Sequence, residues 1–221
     1  MKVELINYTP EPDRSAAHAA LTCYSENVPD KDEMSEGKIE EILEKIKESG
    51  HHSVIEHAKF TFAIHGVSRS LTHQLVRHRL ASYSQQSQRY VDIEHFDPVV
   101  PNTIEEDEEL KELYDDFMSK VKETYGKLKK EIPLEDARYV LPNATRSNII
   151  VSMNARELWH FFSLRCCRRA QWEIRDMANR MLELVKEVAP IIFEDAGAPC
   201  IRGPCPESPE FSCGEPMSKE D

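Results

Sequence analysis

Glycine is scarce in this chain, at 7 of 221 residues, and none of them falls in G-x-G-x-x-G or in the Walker pattern. A dinucleotide, if bound, is therefore not held by the usual glycine-rich turn. No apolar run reaches the ~20 residues needed to cross a bilayer. The N-terminal MKVELINYTPEPD has no cationic region leading into an apolar stretch, so no signal peptide is expected and a cytoplasmic protein is the default. Cys23, Cys166, Cys167, Cys200, Cys205 and Cys213 contain no C-x-x-C pair. In a cytoplasmic protein they are expected to be reduced, with a structural metal, or a disulfide between the tail and the Cys166/Cys167 pair, as the alternatives. HHSVIEH (51–57) is not H-E-x-x-H and holds no i, i+4 pair of histidines. Two residues on one face make a poor metal site, so no metal is expected there, and a helix start with polar ligand contacts is preferred.

Basic charge is in deficit. With 28 Lys and Arg against 40 Asp and Glu, the formal net charge is -12, which argues against a nucleic-acid coat but leaves room for one small anionic ligand in a local basic pocket. Lysine is missing altogether from two long segments, while arginine is not. Arg69, Arg77, Arg79 and Arg89 lie in the first, and Arg138, Arg146, Arg156, Arg165, Arg168, Arg169, Arg175 and Arg180 in the second. A guanidinium offers a planar fork that fits phosphate or carboxylate in two parallel bonds, so arginine-only segments hint at fixed recognition geometry.

The periodicities mix strands with long helices. Strand-like alternation occurs in 2–8, in KFTFAIHG (59–66), in YVDIEHF (90–96) and in SNIIVSMN (147–154). Helices are expected after Pro12, over GKIEEILEKIKESG (37–50) with Gly50 as its stop, and over SRSLTHQLVRHR (68–79), with Ser68 as N-cap and Leu71, Leu75 and Val76 inward. A long helix with one solvated face is expected over 103–131, with Leu110, Leu113, Tyr114, Phe117 and Val121 at helical spacing. LEDARYVLP, NARELWHFFSLR (N-cap Asn154) and AQWEIRDMANRMLELVKEVAP complete the helical set, with Trp159, Phe161 and Phe162 read as core. Without regular βαβ alternation the class is α+β: one domain, 1–196, with a central and mainly antiparallel sheet flanked by long helices. An irregular Cys/Pro-rich tail, 197–221, follows.

RHRLASYSQQSQRY (77–90) begins at the end of a predicted helix and is read as running into a loop. Its arginine, serine and glutamine side chains can grip a phosphate and read the imide edge of a planar heterocycle. The spacing R-H-R-x-x-S-x-x-x-x-S-x-R, met by Arg77, His78, Arg79, Ser82, Ser87 and Arg89, resembles the signature of the flavin-dependent thymidylate synthases. GHHSVIEHAKFTF, ARYVLP, MNAREL and LRCCRRAQWEIR (164–175) resemble further blocks of that family, in the right order.

The resemblance implies an enzyme that makes dTMP from dUMP. It implies 5,10-methylenetetrahydrofolate as carbon donor, FAD as redox carrier, NADPH as reductant, and a homotetramer with active sites shared between subunits. It places Arg165 at the uracil edge, where a guanidinium favours the N3-deprotonated ring and makes C5 electron-rich. It matches Gln74, Arg77, Gln85, Gln86, Ser87, Gln88, Arg89 and Arg138 to dUMP-contacting positions. It matches Ser53, Arg77, His78, Arg79, Gln85, Asn154, Arg156 and His160 to FAD-contacting positions. Some relatives carry Glu in place of Gln85 and Asn in place of His160. Ser87 is expected to position dUMP rather than bond to it, since a nucleophilic serine needs a base within reach.

Overall fold

The computed structural model describes residues 1–30, 34–93 and 97–218. Lys2–Tyr8 forms β1. Pro12, whose fixed φ suits a first turn, opens α1, Pro12–Thr22, which buries Ala16, Ala17 and Ala20. Helix α2, Glu36–Ser49, buries Ile39, Leu43 and Ile46 and stops at Gly50, which takes the left-handed φ of 71° that a glycine tolerates without strain. A short 3₁₀ turn, His52–His57, leads into β2, Lys59–Ser68.

Helix α3, Arg69–Leu75, starts where the Ser68 hydroxyl accepts from the Leu71 N–H at 3.0 Å. It is shorter than its sequence pattern suggests. Val76 closes the last turn and is exposed rather than inward. The chain then leaves the helix: His78 is buried, and its carbonyl accepts from Tyr83 Oη at 2.7 Å. The expected loop also gives way to a strand, β3, Ala81–Gln85. Its residues alternate between half-buried and exposed, a period-2 pattern that serine and glutamine conceal from a hydrophobicity reading. Tyr90–Ile93 is turn and irregular chain rather than the expected strand, and the rest of that YVDIEHF reading, 94–96, lies outside the described residues.

The expected helix over 103–131 is two helices, α4, Asn102–Glu105, and α5, Glu108–Glu131. The break falls at Asp107, whose carboxylate caps α5 by accepting from the N–H groups of Glu109 and Leu110, both at 3.0 Å. Replacing Asp107 with alanine is expected to lower stability by about 1 kcal/mol, read as a reduced urea midpoint with an unchanged slope. Helix α5 turns Met118, Val121 and Tyr125 inward. Leu110, Leu113 and Phe117, read as core-facing, are instead 47%, 67% and 58% exposed. Helix α6, Leu134–Ala137, and a 3₁₀ turn, Arg138–Val140, lead to β4, Arg146–Asn154. Helices α7, Ala155–Arg165, α8, Trp172–Val188, and α9, Pro190–Phe193, follow. The tail is irregular up to residue 218 apart from one 3₁₀ turn, Pro199–Arg202.

The four strands form an antiparallel sheet in the order β1-β2-β4-β3, which with these helices is the α+β class expected. By contacts the chain divides into two compact units: Met1–Lys2, Ile64–Arg77 and Ser84–Ile149, and Val3–Ala63, His78–Tyr83 and Ile150–Asp221. In the first, Met118 and Val121 pack with Ile93, Tyr114, Leu141 and Ala144. In the second, Phe193 meets Phe60 and Phe162 edge-on at 5.4 and 6.0 Å. Phe161 and Phe162 are core, as read, and the Trp159 indole N–H donates to the Ile192 carbonyl at 2.8 Å. Among the described residues no helix is long and apolar enough to cross a membrane.

Candidate active site

In the second unit, the last turn of α7 carries Arg165, and its Nε donates to His78 Nε2 at 3.0 Å. His78 is 5% exposed, and Phe161 lies edge-on to its ring at 4.9 Å. Burial, with the Arg165 cation and His160 adding to it, holds the His78 pKa down at about 4. The imidazole is therefore neutral at pH 7. Because Nε2 accepts from Arg165, the ring proton sits on Nδ1, which faces Glu157 Oε1 at 3.6 Å. That approach is not an ion pair, since the ring carries no charge. Glu157 is itself buried, and burial raises its pKa, with His160 opposing the shift. Burial lowers the Arg165 pKa from its ordinary value, which still leaves a cation at pH 7. The result is an arginine held at Nε by a neutral base, which fixes the direction in which its Nη groups extend.

The other second-unit residues of the flavin set are more open. Ser53 lies exposed on the 3₁₀ turn, and Arg79 is exposed with no side-chain partner among the described residues. His160 is exposed on α7. Arg156 is exposed and donates to Glu56 at 2.5 Å. Asn154 caps α7, its oxygen accepting from the Glu157 N–H at 2.8 Å, so its amide hydrogens are what it can offer a ligand.

In the first unit two residues of the dUMP set, Arg89 and Arg138, meet at Glu135. Arg89 Nε and Nη2 both reach Glu135 Oε2 at 2.8 Å, and Arg138 Nε donates to the Glu135 carbonyl at 3.0 Å. Gln85 spends its amide N–H groups on Thr72 Oγ1 at 3.0 Å and Ser147 Oγ at 3.2 Å, leaving its oxygen as the group to present. Gln86 is held through its backbone, its N–H on the Asn148 carbonyl at 2.9 Å and its carbonyl on Arg69 Nη2 at 3.1 Å. Arg69 Nε is buried without a partner. Ser87 Oγ accepts from the Arg89 N–H at 3.2 Å, and among the described residues no histidine or carboxylate bonds to it. Gln74 donates to the Ser70 carbonyl at 3.4 Å, within its own helix. Gln88 is half-buried, and Arg77 is exposed with no side-chain partner among the described residues.

Three residues that orient this machinery escaped the sequence reading. Glu157 sits at the third position of α7, where a glutamate reads as an ordinary first-turn acid. Glu135 and Tyr83 act through contacts that no local spacing encodes. Among the described residues, no group of three or more His, Cys, Asp or Glu side chains is placed to hold a metal ion. The cysteines are free thiols, and burial pushes Cys166 up to about 12, far from a reactive thiolate.

Open guanidinium forks, a scarcity of glycine turns and one arginine held by a neutral imidazole, in an α+β protein, are chemistry suited to anionic, planar ligands. The model of the family described as "Thymidylate synthase complementing protein" matches residues 4–191. A protein of Geobacter sulfurreducens named flavin-dependent thymidylate synthase is 50% identical over 220 residues, covering 97% of this chain and 94% of that relative. Relatives of the same name from Clostridium tetani (46% identical; 97% and 94% covered) and Pyrococcus furiosus (45% identical; 94% and 90% covered) agree. The chain belongs to the flavin-dependent thymidylate synthase family.

Proposed function

We propose that this chain converts dUMP to dTMP by reductive methylation. It takes its carbon from 5,10-methylenetetrahydrofolate, uses FAD as redox carrier and NADPH as reductant, and works as a cytoplasmic homotetramer. One observation carries the reading: Arg165, in a block that resembles the family's, is anchored at Nε by the neutral His78 of the R-H-R signature. A guanidinium so fixed can sit against the uracil edge and stabilise negative charge as N3 loses its proton, which raises the nucleophilicity of C5. Arg89, Arg138 and the backbone-held Gln86 and Ser87 suit the phosphate and the imide of dUMP.

The donor set fits FAD. Within the second unit Arg79 would hold the pyrophosphate, with Ser53, Asn154, Arg156 and His160 giving hydrogen bonds, while Arg77 and Gln85 of the first unit offer a guanidinium and an amide of the same kind. His78 fits differently. Both of its ring nitrogens face Arg165 and Glu157, so its part is to orient Arg165. When bound, FAD supplies the reducing equivalents that complete a methyl group. Association of copies is supported by the exposed Leu110, Leu113 and Phe117 on one helix, an apolar stripe of the kind that subunit contacts cover. The purified protein is expected to be yellow, absorbing at about 450 nm as its cofactor does, and to form dTMP when dUMP, methylenetetrahydrofolate and NADPH are supplied together. Protein that remains colourless and inert after FAD is added would overturn the reading.

A further inference from the structure

A cavity of about 410 Å³ opens beside Arg165, between the loop that follows α7 and the C-terminal tail. One wall carries three cations, Arg165, Arg168 and Arg169, and the other brings Pro206, Phe211 and Met217. The family model ends at residue 191, so the tail wall lies beyond the part that it matches. Two contacts describe the chemistry. Arg168 Nη1 binds the carboxylate of Glu215 at 2.9 Å, and Arg169 donates to the Phe211 carbonyl while its guanidinium lies over the Phe211 ring at 5.7 Å. The Arg168 backbone is fixed independently, its carbonyl accepting from Arg175 Nη1 at 2.6 Å. A carboxylate on one arginine, with an aromatic face beside it, is what the cavity already accepts from its own chain.

We propose that this cavity is the subsite for the aminobenzoyl-glutamate end of the folate, with the glutamyl carboxylates exchanging for Glu215 on Arg168 and the aryl ring lying among Phe211, Pro206 and Met217. The inference rests on the thymidylate synthase reading. Three features select this ligand. The cavity adjoins Arg165, where the one-carbon unit must arrive. Its walls combine cations with apolar surface, as an aryl dicarboxylate requires. The Arg168–Glu215 pair is 38% and 75% exposed, and such a pair contributes little net stability, so an incoming carboxylate displaces it at small cost.

The test is steady-state kinetics on the flavin-loaded protein, with methylenetetrahydrofolate as monoglutamate and as triglutamate. The doubly substituted Arg168→Ala, Arg169→Ala protein should show a KM for the folate raised about tenfold or more, the effect of losing one charge-assisted contact, with wild-type KM for dUMP and wild-type flavin absorbance. Its preference for the triglutamate should vanish. Glu215→Gln, an exposed change that removes the competing carboxylate, should lower the folate KM severalfold. It gives a second reading should the double variant fail to fold. An unchanged folate KM in a variant that still makes dTMP overturns the subsite and leaves the enzyme assignment standing. A tenfold rise in the KM for NADPH, with the folate KM unmoved, also overturns it and gives the cavity to the dinucleotide. If even the wild-type protein makes no dTMP, the failure belongs to the function proposed above.

Discussion

Replacing Arg165 with alanine is expected to cut dTMP formation by ~10²–10³-fold, the usual cost of deleting a preorganised donor at a site of developing charge, while the protein stays folded and yellow. In the proposed reaction the arginine serves the shift of electron density toward C5 of the pyrimidine, during which negative charge grows on the imide. A guanidinium already fixed in place stabilises that charge without reorganising as the reaction proceeds. Arg165 owes its fixity to the bond from Nε to His78 Nε2 at 3.0 Å. Loss of that bond costs about 1 kcal/mol of stability, too little to unfold a domain, so thermal unfolding should move by only a few degrees. Arg165→Lys should rescue poorly. A lysine has one nitrogen, which cannot both donate to His78 and extend a fork toward a ring. Single-turnover dTMP formation measured with dUMP prebound separates this loss from weakened binding. An alanine variant that turns over at the wild-type rate removes Arg165 from the chemistry.

The parts of the fold read correctly from sequence are those with one strong periodicity. Helix α2, with Ile39, Leu43 and Ile46 inward, and β2, with alternating burial, announce themselves because one face is apolar and the other is not. The stretch 77–90 hid its strand because β3 alternates in burial and not in polarity; only Ala81 and Tyr83 mark its inner side. Helix α5 misled in the opposite way. Leu110, Leu113 and Phe117 have core spacing, yet among the described residues they stay largely exposed. Apolar periodicity reports that a face avoids water, and it does not say whether the same chain or a second copy covers it. At the site, the residue types were legible because arginine replaces lysine throughout two segments. Who holds each arginine was not. Glu135 beneath Arg89 and Glu157 beside His78 are tertiary contacts, 46 and 79 positions apart in sequence, and no spacing rule reaches that far.

The second large effect is a pH dependence centred on His78. Its folded-state pKa of about 4 lies below the ordinary 6.5, so between those values the unfolded chain binds the extra proton and the folded protein does not. Stability from this group is fully present above pH 6.5, declines below it and is lost as pH falls through about 4. A shift of that size corresponds to about 3 kcal/mol. The groups facing the ring are Arg165 on Nε2, Glu157 toward Nδ1 and the His160 imidazole at 6.0 Å. Burial raises the Glu157 pKa, and that contribution has the opposite sign: it is present below the ordinary carboxylate pKa and lost as pH rises through the folded value. Urea midpoints for the wild type, His78→Gln, Glu157→Gln and the double variant, taken from pH 4 to 7.5, separate the two. In the Glu157→Gln background, where only the His78 contribution remains, adding His78→Gln should flatten the curve across pH 4 to 6.5. Activity should hold through most of that interval and fall only as pH approaches about 4, where the folded-state imidazole takes up its proton, because a protonated His78 no longer accepts from Arg165 and repels it. Midpoint curves for the wild type and His78→Gln that run parallel from pH 4 to 7.5 would mean that the imidazole titrates in the folded protein as it does in the unfolded chain, and the neutral acceptor that orients Arg165 would be lost with it.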